Sequence, residues 1–328
     1  MIELYPLKFQ PIYKPYIWGG KNLGKIGKSI PEGMIVAESW ELSDHGEDVS
    51  VVINGELRGK TLRELIEEYG EAISPRTDNG RFPLLVKYID ANKRLSVQVH
   101  PDDKYAIKHE GPLELGKNEC WYIMEALPGI ELILGLKKGV TKTLFKELIE
   151  EGRIEDALNR VPVSRGDFIY IKAGTVHALL EGTIVCEILQ NSDTTYRLYD
   201  WGRFGKDGKP RPLHIEKALD VINFYPDEFY DQHMGELIIN YDRTKLNHPV
   251  PLLRGNFFNV DILICNHDNS CDLEVAHFHT LNIIEGEGYI EYRGGEVDFR
   301  TGDTLLIPGV LGSYQIRTRK ATILKSFL

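Results

Sequence analysis

The segment Ser164-Arg-Gly-Asp-Phe-Ile-Tyr-Ile-Lys-Ala-Gly-Thr-Val-His177 recurs in outline as Arg300-Thr-Gly-Asp-Thr-Leu-Leu-Ile-Pro-Gly-Val-Leu-Gly-Ser313. Each copy reads Gly-Asp, then an apolar run of strand character, then a turn rich in Pro, Ala or Gly. A second pairing sets Glu119-Cys-Trp-Tyr-Ile-Met-Glu125 against His279-Thr-Leu-Asn-Ile-Ile-Glu285, followed by Gly286. Two copies of one sheet unit predict two tandem jelly rolls, the second beginning near Pro249 to Val260.

The rest of the chain agrees with a mainly β fold. Short β-branched and aromatic runs are broken by Gly, Pro, Asn and Asp: Val49–Ile53, Leu84–Ile89, Leu95–His100, Cys120–Met124, Ile130–Leu136, Phe168–Ile171 and Ile184–Leu189. Helical patterns are fewer and read as insertions. Thr61–Tyr69 opens on a threonine with a glutamate three residues on. Thr141–Glu150 and Ile154–Val161 read as a helical pair joined at Gly152, and Pro212–Ile222 repeats apolar residues at Ile215, Ala218, Leu219 and Ile222. In chain order this gives a unit at 1–226 carrying the insertions and a second unit at 227–328, with the polar stretch Asp227–Pro251 joining them.

Composition narrows the partners. A net charge of −10 excludes a nucleic acid or an anionic membrane as the natural partner, and a phosphorylated ligand would need positive charge gathered locally. The N-terminal MIELYPLKFQPIYKPYIWGG carries lysines and prolines where a signal peptide needs an apolar core, and no apolar run is long enough to span a bilayer. The expected location is cytoplasmic. Cys120, Cys186, Cys265 and Cys271 have neither the density of a disulfide scaffold nor the spacing of a zinc knuckle. Cys265 and Cys271 are close enough in sequence to meet in a hairpin, yet buried free thiols are the expectation.

Gln98 and His100 are two apart in a strand, so both project from one face, together with Ser96, while Val97 and Val99 face the other way. Glu119 opens a later strand and His177 follows the Ala-Gly turn of the first Gly-Asp repeat. A single strand histidine is ordinarily structural. The order Gln-x-His, then Glu, then Gly-Asp-strand-turn-His, instead predicts a metal cage of Gln98, His100, Glu119 and His177. Two imidazoles, a carboxylate and an amide oxygen suit a borderline divalent ion, with zinc the natural choice. The Gly-Asp-strand-turn-His pattern resembles the second motif of the cupins, so the two copies look like two cupin units.

Further stretches carry a narrower resemblance. Trp18-Gly19-Gly20, Phe82-Pro-Leu-Leu-Val-Lys87, Leu95-Ser-Val-Gln-Val-His-Pro-Asp102, Lys117-Asn-Glu119, Gly174-Thr-Val-His177 and Ser192-Asp-Thr-Thr-Tyr-Arg197 resemble the type I mannose-6-phosphate isomerases, in their short form. The likeness runs from the N-terminus to about Phe224 and continues more loosely beyond it. It implies interconversion of mannose 6-phosphate and fructose 6-phosphate at one zinc ion held by the four residues named. It also implies substrate groups at Ser96, Lys87, Lys117, Glu187 and Arg197.

The chemistry agrees with those assignments. Aldose–ketose isomerisation removes a proton beside a carbonyl and passes through an enediol or enediolate. Such a reaction needs a base, for which Glu187 serves directly or by orienting a water, and a fixed positive charge, for which Arg197 serves. The phosphate needs a separate cationic grip, and Lys117, which shares the strand parity of Glu119, is the first candidate, with Lys87 beside it and a hydroxyl from Ser96. Arg203 and Lys206 sit in a Gly-rich turn and read as solvated, unless that loop closes over substrate. Asp102 and Asp103 read as the cap of a short helix. In the second copy Ser313 stands opposite His177 and His279 opposite Glu119, so that unit is expected to bind no metal. The chain is expected to act as a monomer or homodimer. Two alternatives predict different behaviour: another metal-dependent cupin enzyme, such as an iron dioxygenase, would require ferrous iron and oxygen, and a non-catalytic sugar-phosphate binder would bind without turnover.

Overall fold

The computed structural model describes residues 3–205, 208–266 and 270–328 of the chain; Lys206 and the Cys271 side chain fall outside what is described. The fold is mainly β, with several antiparallel sheets and few helices. Two of the sheets face each other in the first unit. The larger runs, in spatial order, Ile238–Ile239, Phe168–Ile171, Glu119–Ala126, Thr183–Gln190, Leu84–Ala91, Glu38–Leu42 and Ile12–Lys14. The smaller runs Leu158–Pro162, Glu131–Leu136, His177–Ala178, Val97–Val99 and Tyr196–Tyr199.

The strands Leu84–Ala91 and Thr183–Gln190 are buried along their whole length, because both faces of the larger sheet are covered. That explains their near-continuous apolar sequence. Their inner face, with Ile89, Trp121, Ile123, Ile169 and Val185, packs on Leu132 and Leu134 of the smaller sheet. Their outer face, with Leu84, Val86, Tyr88, Cys186 and Ile188, packs against Phe258, Val260, Ile262, Phe278 and Leu306 of the second unit. Val97 and Val99 do point away from the interior, and they are buried there beneath Phe145, Leu148, Ala218 and Leu219 of the inserted helices.

Local signals set the helix starts. Thr61 forms a reciprocal capping box with Glu64 ahead of the helix Leu62–Tyr69, and Thr141 accepts a bond from the Leu144 amide ahead of Lys142–Glu150. Asp102 accepts from the Tyr105 amide at 2.8 Å and caps Asp103–His109, as expected. The expected helix at Ile154–Val161 is a correction. Only Ile154–Ala157 makes a single 3-10 turn, and Leu158–Pro162 is a strand paired with Glu131–Leu136. Edge pairing of this segment, ending on a proline that an edge strand tolerates, overrides its helical periodicity.

In the second unit the spatial order is Leu7–Lys8, Thr304–Ile307, His279–Tyr292, Ser313–Phe327, Asn259–Asn266 and Val250–Arg254. The repeat seen in the sequence is reproduced bond for bond at the Gly-Asp turns. Gly166 and Gly302 hold φ of 89° and 85°, a region that favours glycine. The Asp167 and Asp303 carboxylates accept from the amides of Ser164 and Arg300 at 2.8 and 3.1 Å. Gly166 and Asp167 exchange backbone bonds with Ile123, and Gly302 and Asp303 exchange the same bonds with Ile283. Ile123 and Ile283 stand four residues after Glu119 and His279, so the alignment of those two positions holds in space.

The units also exchange elements. Leu7–Lys8, at the start of the chain, pairs with Leu305 and Leu306 in the second unit, while Ile238–Ile239 pairs with Phe168 and Ile169 in the first. The division at 226/227 therefore follows chain order and not sheet membership. The stretch expected as a polar connection contains the helix Asp227–Leu237, whose Leu237 is buried in the core of the first unit. Cys120 and Cys186 are buried free thiols, and no helix among the described residues is long and apolar enough to cross a membrane.

Candidate metal centre and its cavity

His177 lies opposite Gln98 in register, and Gln98 lies opposite Arg197, so three of the residues read from the sequence meet across three short strands. Glu119 reaches them from the facing sheet. Among the described residues, the one group of three His, Cys, Asp or Glu side chains close enough to share an ion is His100, Glu119 and His177, all buried, with ligand atoms within 4.8 Å of one another. His177 Nε2 is 3.2 Å from Glu119 Oε1, and His100 Nε2 is 3.5 Å from Glu119 Oε2. The fourth expected ligand joins them: the Gln98 amide nitrogen is 3.3 Å from His177 Nε2, and turning the amide over brings its oxygen to that point.

Backbone carbonyls fix both imidazoles. Nδ1 of His100 donates to the Thr194 carbonyl and Nδ1 of His177 donates to the Thr175 carbonyl, each at 2.8 Å. Each ring therefore carries its proton on Nδ1 and turns a bare Nε2 toward Glu119, the arrangement that a metal-ligating histidine requires. Burial first, and then the Lys117 ammonium, hold the His100 imidazole down to about 3, so it is neutral at physiological pH. Burial would raise the Glu119 carboxyl, but its neighbours, the Lys117 ammonium foremost, more than reverse this and keep it well below the usual carboxylate range. Neither Glu119 oxygen accepts a well-angled hydrogen bond. A buried carboxylate facing two deprotonated imidazole nitrogens is chemically suited to a divalent cation.

Lys117 stands within this group, with its Nζ 2.7 Å from Glu119 Oε2 and 3.1 Å from His100 Nε2. It thus stands between the cage and the cavity. Through Gln98 and Lys117 the cage borders a cavity of about 290 Å³ whose wall also includes Ser96, Glu187, Arg197 and Lys87. The structure therefore gathers every sequence-predicted substrate residue at one cavity. Ser96 Oγ lies 3.5 Å from Gln98 Oε1. A wider surface groove of about 1170 Å³ on the second unit, between Gly286 and Lys320, shares no residue with it.

Lys87 and Glu187 face each other in register on neighbouring strands, and both are buried. Three carboxylates surround the Lys87 ammonium: Asp193 at 2.9 Å, Glu38 at 3.5 Å and Glu187 at 3.8 Å. It also lies 4.5 Å from the centre of the Trp40 ring. Glu187 accepts from the Trp121 indole nitrogen at 2.8 Å. Burial, with the Glu119 charge adding to it, raises the Glu187 carboxyl to about 7 against the opposing pull of Lys117 and Lys87.

Trp121, read from the sequence as core or pocket wall, lines the cavity, and so do Glu38, Asp193 and Arg211, to which sequence reasoning gave no role. Asp193 lay within the motif ending at Arg197. Glu38 shares strand parity with Trp40 but signals nothing until the pairing of its strand with Leu84–Ala91 is known. Tyr16 and Trp18 form the outer wall, their ring centres 5.7 Å apart. The Gly19 beside them cannot carry a side chain, because a Cβ there would lie 2.5 Å from the Ala37 backbone. In the second unit, His279 is buried and its Nδ1 meets the Tyr314 hydroxyl at 2.9 Å.

Comparison with known proteins bears on the same residues. Residues 6–120 match the family described as phosphomannose isomerase type I, catalytic domain. The chain is 38% identical to mannose-6-phosphate isomerase ManA of Bacillus subtilis (strain 168) over 312 residues, which is 95% of either chain. It superposes on the crystal structure of the mannose 6-phosphate isomerase from Bacillus subtilis with a TM-score of 0.86 and 33% identity, covering 98% of this chain and 99% of that one. A zinc-bound mannose 6-phosphate isomerase structure shares the fold at a TM-score of 0.76 and 18% identity, covering 98% of this chain and 99% of that one. With its cage, its cavity and these likenesses, this chain belongs to the type I phosphomannose isomerases.

Proposed function

We propose that this chain interconverts mannose 6-phosphate and fructose 6-phosphate, using one divalent ion, zinc, held by Gln98, His100, Glu119 and His177. The observation that carries this reading is the buried group of two Nδ1-anchored imidazoles and a carboxylate, bordered through Gln98 and Lys117 by a cavity whose wall contains an ionisable Glu187. When bound, the ion supplies Lewis-acid stabilisation of negative charge on the sugar oxygens and fixes their position.

The chain's own residues divide the remaining work. Glu187, raised to about 7, is close to half ionised at neutral pH, so it can both take a proton and return it. It removes the proton from the carbon beside the carbonyl and delivers it to the former carbonyl carbon, while the hydroxyl proton passes from the oxygen that becomes the new carbonyl to the old carbonyl oxygen, so two hydrogens and the double bond change place and nothing is gained or lost. Trp121 holds one Glu187 oxygen, and Lys87 on the far side keeps the carboxyl from rising further. Arg197 and Lys117 face the developing negative charge on the substrate oxygens. Ser96 offers a hydroxyl to the sugar. Trp18 and Leu179 form apolar wall. Lys87, ringed by carboxylates, is assigned to Glu187 and not to the phosphate.

A coupled assay tests the reading: purified protein should convert fructose 6-phosphate to mannose 6-phosphate, lose activity on chelation and regain it with zinc. Metal-loaded protein that binds either sugar phosphate without turnover would overturn it in favour of a non-catalytic binder.

A further inference from the structure

Positive charge is distributed unevenly around the cavity. At the end bearing Lys87, a single ammonium meets Glu38, Glu187 and Asp193, and an anion entering there would confront three carboxylates. At the other end two arginines, Arg203 and Arg211, share the carboxylate of Asp200, and Arg197 lies close enough to feel its charge. Of these, Arg197 and Arg211 line the cavity.

We propose, resting on the isomerase reading above, that Arg211 is the residue that holds the substrate phosphate, with Asp200 as the positioning residue, while Arg197, opposite the cage residue Gln98, stays with the sugar oxygens. Asp200 is buried and receives Arg211 through two prongs: Nε donates to Oδ2 at 2.8 Å and a terminal nitrogen donates to Oδ1. A guanidinium clamped along one edge presents its remaining donors in a fixed direction, the geometry that suits a phosphate. Arg203 donates to the same Oδ1 of Asp200 and is tied to the Arg94 carbonyl, so it serves the clamp and does not line the cavity. Arg197 donates to the Pro212 carbonyl at 2.9 Å, next in sequence to Arg211, and its Nε is buried without a partner. That unpartnered donor, at the wall of a cavity, is a place for an anionic oxygen.

The spacing agrees. Arg197 stands opposite Gln98, a cage residue, and the neighbouring strand then runs back through Ser96 to Leu95 and Arg94, whose carbonyls hold Trp201 and Arg203. From Gln98 to Ser96 is two residues, an advance of about 7 Å along a strand. That is the order of the distance from the first carbon of an extended six-carbon chain to its terminal phosphorus. A sugar phosphate with its carbonyl end at the cage and its chain along Ser96 therefore brings its phosphate to the arginine end.

The test is steady-state kinetics on zinc-loaded wild type, R211Q and R211K, with fructose 6-phosphate as substrate and inorganic phosphate as competitor. R211Q should raise both KM and the phosphate inhibition constant by about ten- to a hundredfold, as loss of a charge-assisted hydrogen bond does, with a smaller fall in kcat. R211K, which keeps the charge but not the two-pronged bond to Asp200, should raise both severalfold. Unchanged KM and phosphate inhibition in R211Q, or a fall confined to kcat, would overturn the proposal. If R211Q does not fold, R211K decides by the same two constants. If the wild type does not turn over, the isomerase reading fails, and calorimetric binding of inorganic phosphate to wild type and R211K still decides whether Arg211 holds it.

Discussion

Replacing Lys87 with methionine separates two roles for one buried cation. Its Nζ is 3.8 Å from Glu187 Oε2. Opposite charges at that separation interact by about 4 kcal/mol at the effective dielectric that best describes protein sites, equivalent to about three pKa units. Reorganisation and the nearby Lys117 reduce this, so a rise of about one to two units in the Glu187 carboxyl is the expected result. With Glu187 as the proposed base, acting in its ionised form, activity is present above its pKa and is lost as the pH falls through it. Removing Lys87 raises that pKa and moves the loss to higher pH. The assay is kcat/KM against pH for zinc-loaded wild type and Lys87→Met, each confirmed folded and metal-loaded. The acid limb should move up by at least one unit, and thermal stability should fall by about 3 kcal/mol, the lower end for a broken buried pair because the Asp193 side chain is 40% exposed. An acid limb in the same place refutes the link between Lys87 and Glu187. A rise in KM alone, with the profile unmoved, would return Lys87 to the phosphate contact that its sequence suggests.

Three other outcomes are expected. His177→Ala should lose bound zinc, as measured by elemental analysis after dialysis, and full metal content in that variant would remove His177 from the cage. Thr61→Ala should lower stability by about 1 kcal/mol in urea denaturation through loss of the capping box, with the slope unchanged. Burial, with Lys325 second, holds the His279 imidazole down to about 3, against 6.5 when unfolded, so between those values the unfolded chain binds a proton that the fold refuses. Stability should therefore fall as the pH drops from 6.5, by up to about 1.4 kcal/mol per unit, and His279→Gln should flatten that slope.

What was legible in the sequence was what local chemistry decides. Gly166-Asp167 and Gly302-Asp303 form their turns from residues within a few positions of each other, so the repeat could be read directly. Strand parity placed Gln98, His100 and Ser96 on one face, and the threonine and aspartate caps marked helix starts. The partners of Lys87 were hidden because Glu38, Glu187 and Asp193 come from three distant parts of the chain, joined by the pairing of the strand Leu84–Ala91 with strands on both its sides and by the loop after Gln190. The strand Leu158–Pro162 was hidden by a periodicity that suits a helix equally well, and only its partner Glu131–Leu136 settles the conformation. Arg211 was hidden because its place depends on Asp200 folding back to meet it.

The sheet that carries Lys87, Glu119 and Glu187 has a second side. Val86, Tyr88, Cys120, Cys186 and Ile188 alternate with those residues and are sealed by the second unit. At the position that Glu119 holds in the first unit, the second unit carries His279, whose Nδ1 meets the Tyr314 hydroxyl. It remains indispensable as a backing plate: without it, the reverse of the catalytic wall would be an open apolar surface, and the carboxylates and ammonium groups on the front would lose the rigid support that keeps them a few ångströms apart.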